Sequence, residues 1–239
     1  MKKRLLFTLI TVLFLSSFIL FEKYNQNNLF ITYEADLNEK EVKLYWKNEN
    51  DINYKSLQAL KDWLHNKDEE LIFATNAGMY KKDNSPQGLF IENFETKAQI
   101  DTLKGNGNFY LKPNGIFYIT NKNEAKIHTT ENFEINKNIK YATQSGPMLL
   151  INDNIHPAFK KGSKNLNIRN GVGVLKNGKV VFVMSKNEIN FYDFANYFKK
   201  LGCENALYLD GFVSRTYLPE KKWIQTDGNF GVIIGITNK

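Results

Sequence analysis

Short apolar runs that stop on a polar residue and a glycine recur along this chain. Leu71-Ile72-Phe73-Ala74 runs into Thr75-Asn76-Ala77-Gly78, and Ala206-Leu207-Tyr208-Leu209 runs into Asp210-Gly211. Bounded runs this short read as buried strands. The polar residue at each end then matters. A carboxylate at the end of a buried strand is costly unless it is paired or used. Glycine beside it tolerates unusual backbone angles and lets a ligand approach the main chain. Asp-Gly is also a common turn pair, so the case for chemistry at Asp210 rests on the other segments.

Several strands surround these two. Phe30 to Tyr33 and Val42 to Trp46 read as strands, as do Phe90-Ile91 after the Ser85-Pro86-Gln87-Gly88 turn and Ile116 to Thr120 after Pro113-Asn114-Gly115. Val172, Val174 and the run Val180 to Met184 face each other across Asn177-Gly178, a type I′ hairpin signal. Two helices are expected. Leu57, Leu60 and Leu64 form one apolar stripe, and Phe191, Phe194, Ala195, Phe198 and Leu201 form another. Asn190 suits the N-cap of the second and Gly202 its end. Asn121 to Asn138 reads as a polar surface excursion. The class is α+β, with mixed β-sheets and a few packing helices, in a single domain over residues 29–239.

Ahead of that domain, Lys2-Lys3-Arg4 precede an uncharged stretch from Leu5 to Phe21. Residues 1–21 therefore read as a signal anchor or signal peptide, and residues 22–28 as a polar linker. No small-x-small cleavage pattern stands out, which favours an anchor. The expected location is extracytoplasmic, either membrane-anchored or secreted.

Thirty-two basic against 25 acidic residues give a net charge of +7. Lys2, Lys3 and Arg4 supply three of these charges, so the body carries too mild an excess to indicate nucleic acid. Only Arg4, Arg169 and Arg215 are arginine. Lysine cannot reproduce a planar bidentate fork, so arginines retained in so lysine-rich a chain are candidates for specific work. One cysteine, Cys203, excludes an internal disulfide and reads as a buried inert thiol. Three scattered histidines, of which His65 and His156 read as solvated, make no standard zinc pattern. No cofactor is expected; a divalent cation is possible but has no sequence support. Gly105-Asn106-Gly107-Asn108 lacks the lysine and helix of a phosphate loop. Ser145 lacks a nucleophile-elbow pattern, so it reads as a hydrogen-bonding or turn residue.

Five blocks in order, Asn76-Ala-Gly-Met-Tyr, Ser145-Gly-Pro-Met-Leu, Arg169-Asn-Gly-Val-Gly with its hairpin, the Phe191 helix and Asn205-Ala-Leu-Tyr-Leu-Asp-Gly, resemble the phosphodiester glycosidase domain family. The likeness runs from about residue 70 to the C-terminus. It implies an exported α+β domain that hydrolyses a sugar joined through its anomeric carbon to a phosphodiester. It also implies site roles. Asn76 and Gly78 resemble a first site loop; Gln144, Ser145 and Gly146 fall in a second. Arg169 and Asn170 open the glycine-bearing strand, and Asp210, Gly211 and Ser214 form the last turn. Phe212 and Val213 depart from the pattern, since many members have glycines there. That departure motivates a non-catalytic glycan or anionic-polymer binder as the alternative.

On this reading Asp210 and Arg169 are the catalytic pair. Arg169 suits a phosphate oxygen pair held bidentately, and Asp210 suits acid, base or oxocarbenium-bracing work. Asn76, Gly78, Gln144, Ser145, Gly146, Asn170, Gly211 and Ser214 are expected to bind substrate. Glu92, Glu188 and Asp193 are candidates for a second carboxylate. All of this requires the Arg169 and Asp210 side chains to share one open pocket.

Overall fold

The computed structural model describes residues 29–211 and 213–239. The leader and linker readings, and Phe212, lie outside the described residues. Three antiparallel sheets meet on one core. The first has the order β1-β12-β11-β13-β9-β10. Its strands are β1 (Phe30–Ala35), β9 (Met148–Ile151), β10 (Asn154–Ile155), β11 (Asn170–Leu175), β12 (Val180–Ser185) and β13 (Cys203–Tyr208). The second has the order β15-β14-β3-β16-β2. It is built from β2 (Lys40–Tyr45), β3 (Leu71–Asn76), β14 (Thr216–Leu218), β15 (Trp223–Ile224) and β16 (Ile233–Asn238). The third, β5-β4-β8-β6-β7, is built from β4 (Phe90–Glu92), β5 (Glu95–Ala98), β6 (Gly115–Thr120), β7 (Ala125–Thr129) and β8 (Ile139–Ser145). The α+β class expected from the sequence is the one adopted.

Alternation along the strands decides which layer each residue serves. Val180 and Phe182 point into the central core with Phe73, Phe117 and Ile234, while Val181 and Val183 point outward. Helix α2 (Phe191–Leu201) covers that outer face with Phe194, Ala195 and Phe198. Its Asn190 N-cap accepts the Asp193 N–H, and Gly202 ends it in the left-handed region at φ 87°. Helix α1 (Leu57–His65) lays Leu57, Leu60 and Leu64 on the outer face of the second sheet.

Three local expectations change. Asn177 is absent from the positive-φ residues and only Gly178, at φ 84°, is left-handed. The Gly178 N–H bonds Leu175 O and the Leu175 N–H bonds Lys179 O. The hairpin is therefore a type I turn with a glycine bulge, not the two-residue I′ turn. The polar stretch 121–138 contains β7, because Ala125 and Ile127 alternate inward. His156 is buried, not solvated. Its ring stacks on Phe159, and burial pushes its pKa down. His65 is exposed as expected, and Cys203 is buried with its thiol pushed up to about 12.

Candidate active site

Gly171 pairs with Tyr208 across β11 and β13. Arg169 and Asp210 each lie two residues beyond that pair, so both chain segments leave the sheet at the same end. β3 delivers Asn76 to this end as well. The three segments are tied by a buried amide network. Asn170 donates through Nδ2 to Asn76 O at 2.7 Å and Thr75 Oγ1 at 3.1 Å. Its Oδ1 accepts the Asp210 N–H at 3.0 Å. Asn76 donates through Nδ2 to Asp210 O at 3.1 Å and accepts the Arg215 N–H at 3.0 Å. Ser214 donates to Asp210 O at 2.8 Å. The backbone on both sides of the Asp210 turn is therefore clamped by side chains from two other strands. Such a network is costly to leave half-made, so it fixes one loop conformation. Sequence reasoning assigned Asn76, Asn170 and Ser214 to substrate. All three are buried, and their side chains bond the loop.

Asp210 stays partly exposed, and its charge acts on two phenols. Its charge raises the pKa of Tyr80, where burial is the larger cause. Burial first and Asp210 among lesser causes push Tyr208 up to about 12, against the lowering effect of Arg169. Val213 turns away from the site and packs on the apolar cluster beneath α1. Gly211 is required by close approach. A β-carbon there would overlap the Tyr208 hydroxyl and stand 2.8 Å from Ile168 O.

The expectation that Arg169 opens onto a substrate pocket is corrected. Arg169 is fully buried. Its Nε donates to Ile189 O at 2.8 Å, and Nη2 donates to both the backbone and side-chain oxygens of Asn165 at 3.0 Å. The guanidinium lies 3.6 Å above the Phe191 ring. Its Nη1 is 3.5 Å from the Tyr208 hydroxyl, which stands between it and the Asp210 turn. Burial lowers its pKa.

The second expected block is also internal. Gln144 accepts the Leu89 and Asp101 N–H groups and donates to Asp101 O at 2.7 Å, so its amide is spent within the protein. Ser145 donates to Leu209 O and supports the end of β13 from below. Gly146 precedes a cis Pro147 and packs against Asn114; at Gly78 a β-carbon would overlap Thr143 Oγ1. These residues are buried and do not face solvent. Among the candidate second carboxylates, Asp193 is accounted for by its bonds to Asn190 at the start of α2. Glu92 lines a different cavity. Among the described residues no three His, Cys, Asp or Glu side chains gather to hold a metal ion.

Two contributors were missed in the sequence. Thr75 directly precedes the Asn76 block and Tyr208 lies inside the last block, and that position is their only sequence signal. Arg215, singled out in the sequence as a retained arginine, follows Ser214. The Thr75 hydroxyl donates to Arg215 O, and the Arg215 guanidinium bonds Asp227 Oδ1 at 2.8 Å and Ser214 O at 3.0 Å while staying partly exposed.

Residues 69–232 match the phosphodiester glycosidase family model. The chain belongs to the phosphodiester glycosidase family. It is 38% identical over 187 residues to uncharacterized protein YigE of Escherichia coli K12, covering 78% of this chain and 73% of that one. Its fold is similar to the zebrafish N-acetylglucosamine-1-phosphodiester alpha-N-acetylglucosaminidase catalytic domain, auto-inhibited by its pro-peptide. That likeness has a TM-score of 0.55 at 12% identity, over 88% of this chain and 89% of that one. A putative exported protein from Burkholderia pseudomallei K96243 aligns with a TM-score of 0.58 at 10% identity, over 87% and 73% of the two chains. Among the described residues no helix is long and apolar enough to cross a membrane.

Proposed function

We propose that the chain is an exported hydrolase that cleaves the glycosidic bond of a sugar-1-phosphodiester in an envelope or extracellular glycan. The observation that carries this reading is the Asp210 turn. A partly exposed carboxylate is held at a sheet end by a loop whose backbone is fixed from both sides. Fixed placement of an acid–base group is what proton-transfer catalysis requires. The bond between the anomeric carbon and the phosphate oxygen breaks. That oxygen leaves with the phosphate, and water adds to the carbon after losing a proton to Asp210. A phosphate is a better leaving group than an alkoxide, so a single carboxylate suffices. Arg215, the partly exposed guanidinium next to the clamped loop, is assigned to the departing phosphate. Arg169 is assigned to positioning, since its donors are spent on Asn165 and Ile189. Membrane tethering through residues 1–21 belongs to this proposal.

The spent guanidinium also favours a second reading, a non-catalytic binder of glycans or anionic polymers. Turnover separates the two. The purified protein is incubated with glycosyl phosphodiesters and free sugar is measured. Asp210→Asn is expected to reduce release by about 10²–10⁴-fold. Unchanged release by that variant would end the assignment of Asp210, and saturable binding without any release by the wild type would favour the binder.

A further inference from the structure

The first strand begins at the end of its sheet that carries the Asp210 turn. β1 is an edge strand, and its first residue, Phe30, pairs with Ser185. Asn170 pairs with Met184 and Gly171 with Tyr208. Carrying these registers on by one and two residues sets Arg169 opposite Ser185 and Asp210 opposite Arg169. Backbone bonds hold the alignment. Lys186 N–H donates to Leu29 O at 2.9 Å, Ser185 N–H to Arg169 O at 2.8 Å, and Leu209 N–H to Asn170 O at 3.1 Å. Phe30, Ser185, Arg169 and Asp210 therefore form one row across β1, β12, β11 and β13. Three strand spacings of about 4.8 Å put Phe30 roughly 14 Å from Asp210. β1 runs away from that row, so its start, not its end, lies beside the site.

The rim at this end carries exposed aliphatic side chains. Leu29 is 48% exposed, Leu166 46% and Ile168 37%. Such residues scattered singly need no explanation. Here the backbone gathers them. Ile168 O stands 2.8 Å from where a β-carbon on Gly211 would lie, so Ile168 borders the Asp210 turn. Asn167, between Leu166 and Ile168, exchanges backbone bonds with Ile189, three residues beyond the Lys186 that holds Leu29. An aliphatic rim beside a hydrolytic carboxylate has a use when the substrate brings its own hydrocarbon and lies at a bilayer surface.

The sequence ahead of β1 supplies the bilayer. Leu5 to Phe21 is uncharged, and only residues 22–28 separate it from Leu29. Fully extended, that linker reaches at most about 25 Å. Anchoring of residues 1–21 would thus keep the Asp210 turn within about 40 Å of the membrane. We propose that the substrate is lipid-linked: a sugar-1-phosphodiester whose second ester is to a membrane lipid alcohol, taken from the outer face of the same bilayer. This rests on the hydrolase reading of Asp210 and on the anchor. Leu29, Leu166 and Ile168 meet the start of the hydrocarbon chain while the sugar reaches Asp210. The bond from the anomeric carbon to the phosphate oxygen breaks. Water supplies the new hydroxyl oxygen and gives one proton to Asp210. The products are the free sugar and a lipid monophosphate that stays in the bilayer.

The test places full-length protein in vesicles of phosphatidylethanolamine and phosphatidylglycerol. Glucosyl, mannosyl and N-acetylglucosaminyl phosphates are each supplied esterified to a long-chain polyprenol or to methanol, and released sugar is measured. For a sugar that is accepted, kcat/KM is expected to be at least about tenfold higher with the polyprenyl ester, because remote binding energy is available only there. The double variant Leu166→Ser with Ile168→Ser, at exposed positions, is expected to lower that preference about fivefold. Equal or faster hydrolysis of the methyl esters overturns the lipid-linked substrate and leaves the hydrolase reading standing, with a soluble or polymer-borne aglycone in its place. No release from any ester defeats both. A double variant that keeps the full preference, or that loses activity equally on both esters, overturns the role of the rim.

Discussion

Asn170→Asp exchanges one amide NH2 for an oxygen and changes almost nothing in shape. The position is 1% exposed, and the lost group donates to Asn76 O at 2.7 Å and Thr75 Oγ1 at 3.1 Å. An ionised carboxylate would set one oxygen against the Asn76 carbonyl with no proton between them. A neutral acid repairs most of this, because its O–H donates to Asn76 O while its other oxygen still accepts the Asp210 N–H. Holding an aspartate neutral at pH 7, against an ordinary pKa of about 3.9, costs about 4 kcal/mol at about 1.4 kcal/mol per unit. That figure is the ceiling on the ionisation part of the loss, and the missing donation to Thr75 adds about 1 kcal/mol. The folded-state pKa of the new group lies above its unfolded value. The variant is therefore closest to wild type below about pH 4, and it loses stability as pH rises until the folded pKa is passed. Urea unfolding of both proteins, followed by tryptophan fluorescence at several pH values, measures the difference. A loss of about 3–5 kcal/mol at pH 7 that shrinks to about 1 kcal/mol near pH 4 is expected. A loss that does not vary with pH, or one below about 1 kcal/mol at pH 7, would refute the claim that this amide is a buried donor holding the loop.

Gly211→Ala drives a methyl group into the Tyr208 hydroxyl and the Ile168 carbonyl, so a loss of about 1–3 kcal/mol is expected in thermal unfolding, with activity falling as the turn shifts. Arg169→Lys removes the bonds to Ile189 and Asn165 and the stack on Phe191. It is expected to cost about 2–4 kcal/mol by denaturant titration, and an unchanged unfolding midpoint would return Arg169 to a purely catalytic role. Arg215→Ala breaks a partly exposed ion pair with Asp227 and a bond to Ser214 O. It is expected to lower stability by under about 1 kcal/mol while raising KM or lowering kcat for phosphodiesters.

Much of the architecture was readable because its causes are local. The leucine spacing of α1, the aromatic stripe of α2, the Asn190 cap and the left-handed Gly202 are all set within a few residues. The hairpin turn type was misread because Asn-Gly satisfies two turn geometries, and β7 was missed because only Ala125 and Ile127 mark it inside a polar stretch. The segments that form the candidate site were found as motifs. Their side chains were assigned outward, although asparagine and serine near a strand end serve equally well as buried clamps.

The sequence by itself determined the class, the family and the end of the sheet where the motifs meet. Periodicity and strand-stopping residues act along the chain and leave their trace in it. Only the tertiary structure decided which way each polar side chain points. Asn165 and Phe191 close over Arg169 from separate segments, while Asn76 and Asn170 fix the Asp210 backbone from two other strands. A guanidinium turns inward or outward according to which acceptors lie within about 3 Å of it. For Arg169 one acceptor, Ile189 O, and the Phe191 ring are brought near only by folding, while Asn165 is a sequence neighbour.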